Sequence, residues 1–176
     1  MRVYLGLGSN LGDRLANLRQ GLALLAERGV RTVKASSLYQ TEPVGFAEQP
    51  DFFNAVVAVE GRFTLPSLLR AVKEIERDMG GRPEGRGRAR PFDADILLAE
   101  GLLFSSADLL VPHPRMLERR FVMEPLMELE PQLAAWWNHR RAGVAPLDSL
   151  RAQRVERLMS AEQWLGLVSG APEEMR

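Results

Sequence analysis

Residues 30–60 read VRTVKASSLYQTEPVGFAEQPDFFNAVVAVE, and they decide the fold. Val30 to Tyr39 is rich in β-branched and aromatic residues and reads as one strand. Phe52 to Glu60 alternates well enough for the next. Glu42-Pro43-Val44-Gly45 opens the loop between them, which runs to Pro50. No helical period intervenes, so two strands sit in succession.

A helix lies on either side. Upstream, Arg2 to Leu7 reads as a short strand and Gly8-Ser9-Asn10-Leu11-Gly12 as a turn. Leu15, Leu18, Leu22 and Leu25 then recur at helical spacing, and the stripe ends near Gly29. Downstream, Thr64 is an N-cap with Pro66 tolerated in the first turn. Leu65, Leu68, Leu69, Val72, Ile75 and Met79 form the apolar stripe of a second helix, which stops at Gly80-Gly81. Ala94 to Leu98 is a fourth strand, apolar on one face.

The order is β-α-β-β-α-β. It predicts an α+β fold of the ferredoxin-like, split-βαβ kind: a four-stranded antiparallel sheet with two helices on one face. Arg115 to Leu129 supports short helical pieces. Leu147 to Met159 and Ala161 to Val168 read as helical, which adds a C-terminal helical extension.

The 176 residues suffice for one domain. Apolar residues make up 45% and charged residues 26% of the chain, the composition of a globular protein. Lys plus Arg is 23 and Asp plus Glu is 23. That balance argues against a nucleic-acid binder, which carries excess positive charge. Cysteine is absent, so disulfides, thiolate metal sites and a cysteine nucleophile are excluded. No signal-like or membrane-spanning apolar run is present, so a cytoplasmic protein is expected.

Gly6-Leu7-Gly8-Ser9-Asn10-Leu11-Gly12 resembles a dinucleotide fingerprint, but its spacing is GxGxxxG. Two strands in succession also break the parallel βαβ unit that such a site needs. Glycines making a tight strand-to-helix turn are the better reading.

The chemistry concentrates further on. Asp93-Ala94-Asp95 opens the fourth strand, and strand residues two apart share a face, roughly 6.6 Å apart along the chain. Carboxylates so placed repel unless a cation lies between them. Mg2+ suits a few carboxylate oxygens completed by water and phosphate oxygens. The alternative is a solvated pair at a strand rim. The preceding loop carries Arg82, Arg86, Arg88 and Arg90 among glycines, which suggests a lid closing on a polyphosphate. His113 lies between two prolines, a rigid mount from which an imidazole can donate to a phosphate oxygen. A packed surface histidine is its alternative.

In order along the chain stand Leu7-Gly8-Ser9-Asn10-Leu11-Gly12, Tyr39-Gln40-Thr41-Glu42-Pro43-Val44-Gly45, and Gln49-Pro50-Asp51-Phe52-Phe53-Asn54. Pro91-Phe92-Asp93-Ala94-Asp95-Ile96-Leu97 and Val111-Pro112-His113-Pro114-Arg115 through Arg119-Arg120-Phe121-Val122 follow. Together they resemble the 6-hydroxymethyl-7,8-dihydropterin pyrophosphokinase family from Val3 to about Pro131. The resemblance implies a core over 1–131 with an extension over 132–176. It implies diphosphate transfer from ATP to 6-hydroxymethyl-7,8-dihydropterin, with AMP released, in tetrahydrofolate synthesis.

The resemblance also implies roles for single residues. Two Mg2+ ions sit on Asp93 and Asp95, and Arg82 and Arg90 join them in catalysis. Glu76, His113, Arg119, Ile96, Arg86 and Arg88 fall to ATP. Thr41, Pro43, Val44, Phe52, Asn54, Phe121 and Asn10 fall to the pterin, with Phe52 and Phe121 as the aromatic sandwich. A monomer without nucleic-acid or membrane partners is expected. The chain departs from the pattern at Gly87, where a lid tryptophan is usual. No family role attaches to Trp136, Trp137 or the residues beyond. Rival readings are a ferredoxin-like RNA-binding or regulatory module, and a nucleotidyltransferase that releases pyrophosphate.

Overall fold

The computed structural model describes residues 1–43, 49–80, 89–135 and 152–167. Five strands follow one another as an antiparallel sheet in the order β5 (Asp93–Ala99), β1 (Arg2–Ser9), β4 (Phe52–Glu60), β3 (Leu38–Thr41), β8 (Val155–Met159). β2 (Arg31–Ala35) also pairs with β4. β6 (Phe104–Ser105) and β7 (Leu110–Val111) form a separate small hairpin.

The strand expected over Val30 to Tyr39 is two strands, broken at Ser36-Ser37. Val56 N–H donates to the Ser36 hydroxyl at 2.9 Å, and that hydroxyl donates to the Ser37 carbonyl at 2.7 Å. A side chain thus replaces a backbone partner, and the ladder bends around it.

Val3, Leu5 and Leu7 of β1 point to one face with Phe53, Ala55, Val57 and Val59 of β4. There they meet the leucines of α1 (Arg14–Glu27) and the stripe of α2 (Leu65–Asp78). Asp13 caps α1 by accepting from Ala16 N–H, and Thr64 and Ser67 form a capping box on α2, each worth about 1 kcal/mol. Tyr4, Val56, Ala58 and Leu97 point to the other face. A third helix, α3 (Arg120–Leu129), covers them with Val122, Met123 and Leu126. α1 and α2 share one face, as the pattern predicts, and α3 adds a helix on the other. That is why β4 reads Phe-Phe-Asn-Ala-Val-Val-Ala-Val with so little polar alternation.

The helical reading of Leu147 to Met159 fails over Val155–Met159, which is strand β8 (147–151 lie outside the described residues). β8 pairs with the free edge of β3, matching Leu38 to Met159 and Thr41 to Val155. A waiting sheet edge overrides weak local preference. The helix expected from Ala161 is present as α4 (Ala161–Leu165). Its Trp164 is fully buried and donates from Nε1 to the Ser36 carbonyl at 2.8 Å.

Candidate active site

The site occupies the end of the α3-side sheet face. Antiparallel register places Gly8 opposite Asp93 and Gly6 opposite Asp95 on one side, and Gly8 opposite Asn54 on the other. Gly6 lies in the strand, as expected, and Gly8 is a strand residue too, not the start of the turn as the sequence suggested. Gly12, at φ 65°, belongs to the turn. A Cβ on Gly8 would sit 3.1 Å from Asn54 Oδ1, 3.6 Å from the Phe52 ring and 3.9 Å from Asp93 Cβ. The two glycines thus leave a floor of bare backbone with aspartates along one side and Phe52 and Asn54 along the other.

Each aspartate has its own arginine. Arg90 Nη2 lies 2.9 Å from Asp93 Oδ2, and Arg119 Nη1 lies 3.4 Å from Asp95 Oδ2. Each arginine also lies over one phenylalanine: Arg90 is 6.0 Å from the Phe52 ring centre and Arg119 is 5.8 Å from that of Phe121. Burial and the charge of Asp95 push the Asp93 carboxyl up to about 6, against the opposing pull of Arg90. Two carboxylates with room for phosphate and water oxygens suit Mg2+. Among the described residues Arg90 Nε is a buried donor without a hydrogen-bond partner. An anionic oxygen at this point would satisfy it.

His113 follows β5 in space. Its N–H donates to the Leu97 carbonyl at 2.6 Å, and its Nδ1 accepts from Arg115 N–H at 3.1 Å. Burial lowers its pKa. The neutral ring therefore carries its proton on Nε2, which is left to donate outward.

Several residues named from the sequence are held by partners within the protein. Asn10 is fully buried. Its Oδ1 accepts from Arg90 N–H at 2.8 Å, and its Nδ2 donates to Gln49 Oε1 at 3.1 Å and the Pro50 carbonyl at 3.3 Å. Asn10 is a clamp between β1 and the segments beside it. The Ile96 side chain lies in the opposite core with Ala94, so only its backbone faces the aspartates' strand end. Glu76 is buried; its carboxylate accepts from Lys73 Nζ at 2.9 and 2.8 Å and from Ala94 N–H at 3.0 Å. It pins the start of β5 between the two aspartates.

Thr41 is buried and its Oγ1 accepts from Asn54 Nδ2 at 2.7 Å. Phe52, Phe121 and Pro43 are half-buried. Val44, Arg82, Arg86 and Arg88 lie outside the described residues.

Sequence reasoning missed Arg14 and the segment Gln153-Arg154. Arg14 stands in the first turn of α1, where the helix dipole disfavours a cation. It is held there by stacking 3.8 Å over Phe53 and by donating to the Asp51 carbonyl at 2.7 Å. A basic first turn was the legible signal. Gln153-Arg154 gave none, because all its partners are distant in sequence.

Residues 4–131 match the family described as 7,8-dihydro-6-hydroxymethylpterin-pyrophosphokinase. The chain is similar to the 2-amino-4-hydroxy-6-hydroxymethyldihydropteridine pyrophosphokinases of Bacillus subtilis and Methylorubrum extorquens. It is 43% identical to the first over 132 residues, 74% of this chain and 79% of that protein. It is 40% identical to the second over 156 residues, 88% of this chain and 99% of that protein. It is also 37% identical over 170 residues, 96% of this chain, to the folic acid synthesis protein fol1 of Schizosaccharomyces pombe, but spans only 23% of that protein's length.

Proposed function

The chain belongs to the 7,8-dihydro-6-hydroxymethylpterin-pyrophosphokinase family, and from that premise we propose that it transfers diphosphate from ATP to 6-hydroxymethyl-7,8-dihydropterin in folate synthesis. The observation that carries the reading at residue level is the doubled unit of the site. Asp93 with Arg90 over Phe52, and Asp95 with Arg119 over Phe121, each join a carboxylate, a guanidinium and an aromatic ring, groups suited to a metal, a phosphate and a flat ring. The order β5-β1-β4, then β2 and β3 on the far side of β4, with α1 and α2 on one face, supports a ferredoxin-like core extended by β8.

In the reaction the pterin hydroxymethyl oxygen bonds to the β-phosphorus of ATP. The bond from that phosphorus to the α,β-bridging oxygen breaks, AMP leaves with the electron pair, and the hydroxyl proton passes to solvent. Such transfer asks the protein for positioning and for charge opposite the phosphates. Asp93 and Asp95 would hold two Mg2+ ions. These would neutralise phosphate charge and acidify the hydroxyl.

The remaining work falls to the chain's own groups. Arg90 and Arg82 supply fixed positive charge to the transferring group. Arg119 and the Nε2–H of His113 hold the triphosphate, with Arg86, Arg88 and the Ile96 backbone alongside. Glu76 acts through β5 by holding Ala94. Phe52 and Phe121 stack on the pterin, while Thr41, Pro43, Val44 and Asn54 line its edge. Asn10 keeps Arg90 and the Gln49-Pro50 turn in place. We place the protein in the cytoplasm as a monomer.

The test is direct. The protein is mixed with ATP, Mg2+ and the pterin alcohol, and the nucleotide product is identified. AMP formed one-for-one with the pterin diphosphate is expected. ADP or free pyrophosphate as the product would replace this reading with a simple kinase or a nucleotidyltransferase.

A further inference from the structure

The pocket's two aromatic walls belong to different elements. Phe52 opens β4 and Phe121 lies in the first turn of α3. No covalent feature fixes one against the other. The segment ahead of β8, beyond the 4–131 span of the family match, reaches both.

On the α3 side, Arg120 N–H donates to Gln153 Oε1 at 2.9 Å and Arg120 Nη1 donates to the Gln153 carbonyl at 2.8 Å. Gln153 Nε2 returns a bond to the Glu118 carbonyl at 3.0 Å. Gln153 thus meets a helix N-terminus that has no side-chain cap of its own. On the β4 side, the next residue takes over. Arg154 N–H donates to Glu42 Oε1 at 3.1 Å, and Arg154 Nη2 lies 2.7 Å from Asp51 Oδ2. Gln40 Nε2 donates to the same Asp51 oxygen at 2.6 Å, and Arg14 holds the Asp51 carbonyl. Partial burial pushes the Asp51 carboxyl up, but the bonds from Gln40 and Arg154 outweigh it and hold the group below its usual range. The polar groups of Arg154 therefore converge on Glu42 and on Asp51, which directly precedes Phe52, and those of Gln153 on Glu118 and on Arg120, which directly precedes Phe121.

We propose that Gln153-Arg154 is a strap across the pterin pocket, with Arg154 a positioning residue that sets the β4-side wall for the pterin substrate. It touches no substrate and acts through Glu42 and Asp51. Arg154 bonds to neither aspartate nor His113, and its side-chain partner Asp51 directly precedes Phe52, so its effect falls more on the pterin than on ATP. The proposal rests on the reading of the pocket given under Proposed function.

The Asp51–Arg154 pair is half-exposed, which limits its worth. Arg154→Ala should raise the KM for the pterin alcohol about fivefold while leaving the KM for ATP and the melting temperature close to wild type. Arg154→Lys, which keeps the charge, should recover part of that loss. Asp51→Asn, which keeps the side-chain volume, should reproduce the same split. Equal changes in both KM values, or an unchanged pterin KM in both Arg154→Ala and Asp51→Asn, would overturn the strap. Wild-type protein that makes no AMP at all would instead remove the reading of the pocket itself.

Discussion

Asp93 stands directly opposite Gly8 in the pairing of β5 with β1, and the missing side chain of one leaves space beside the carboxylate of the other. Gly8→Ala tests that space. Alanine in a strand gains about 0.5–1 kcal/mol over glycine from chain entropy, while its Cβ would press on Asn54 Oδ1 at 3.1 Å. The two effects are similar in size, so the melting temperature should shift by only a few degrees. The pterin KM should rise several-fold, because Asn54 must yield and with it the bond to Thr41. Steady-state kinetics beside a thermal melt separate the two.

Asp95→Ala should reduce AMP formation by on the order of a hundredfold or more, with stability changed by less than about 1 kcal/mol, because Arg119 is partly exposed and can turn to solvent. The Asp93 carboxyl should at the same time titrate lower, since the charge of Asp95 helps to raise it. Carboxyl titration by NMR reads the second effect. Near-normal turnover in the variant would take the pair out of the proposed site.

Gly21→Ala should destabilise, although helix preference argues the other way. Alanine gains about 1 kcal/mol in a helix interior. Here its Cβ would lie 2.2 Å from the Phe92 ring, and Phe92 is buried in the core. Overpacking of that kind costs about 1–3 kcal/mol, so the loss wins. Phe92 directly precedes Asp93, so turnover should fall as well. A stabilised, fully active variant would show that the ring moves freely.

The partly buried hydrogen bond from the Tyr4 hydroxyl to Glu130 sets a pH dependence. It lowers the Glu130 carboxyl below its ordinary 4.5, against burial and with help from Lys34. A depressed folded value means stability that is present above about pH 4.5 and lost as pH falls through the folded value. Tyr4→Phe should therefore cost about 1 kcal/mol at neutral pH, and the gap to wild type should shrink in acid. Denaturant melts at pH 7 and pH 3.5 check the sign; a gap that widens in acid would contradict it.

Much of this arrangement could be read from sequence because it is local. The leucine spacing of α1 and α2, the Thr64 cap and the Asp-x-Asp at a strand start are periodic or contiguous signals. What was not legible has the opposite character. The clamp made by Asn10 gave no local signal, because its partners lie 39, 40 and 80 residues away. Val155–Met159 has no strong strand pattern and becomes a strand only because β3 offers an edge. Helices on both faces could not be inferred either, since the apolar run of β4 fits burial on two sides without saying what provides it.

β8 also has a consequence for the order in which the molecule assembles. The contact of Arg157 with Ser37 closes a separation of 120 residues, and such long closures follow the formation of nearer contacts. β1, α1, β4, α2 and β5 can join without it. β8, paired only with the short β3 at the sheet edge, should open ahead of the central strands. Amide hydrogens in the β3–β8 ladder should exchange ahead of those shared by β1 and β4.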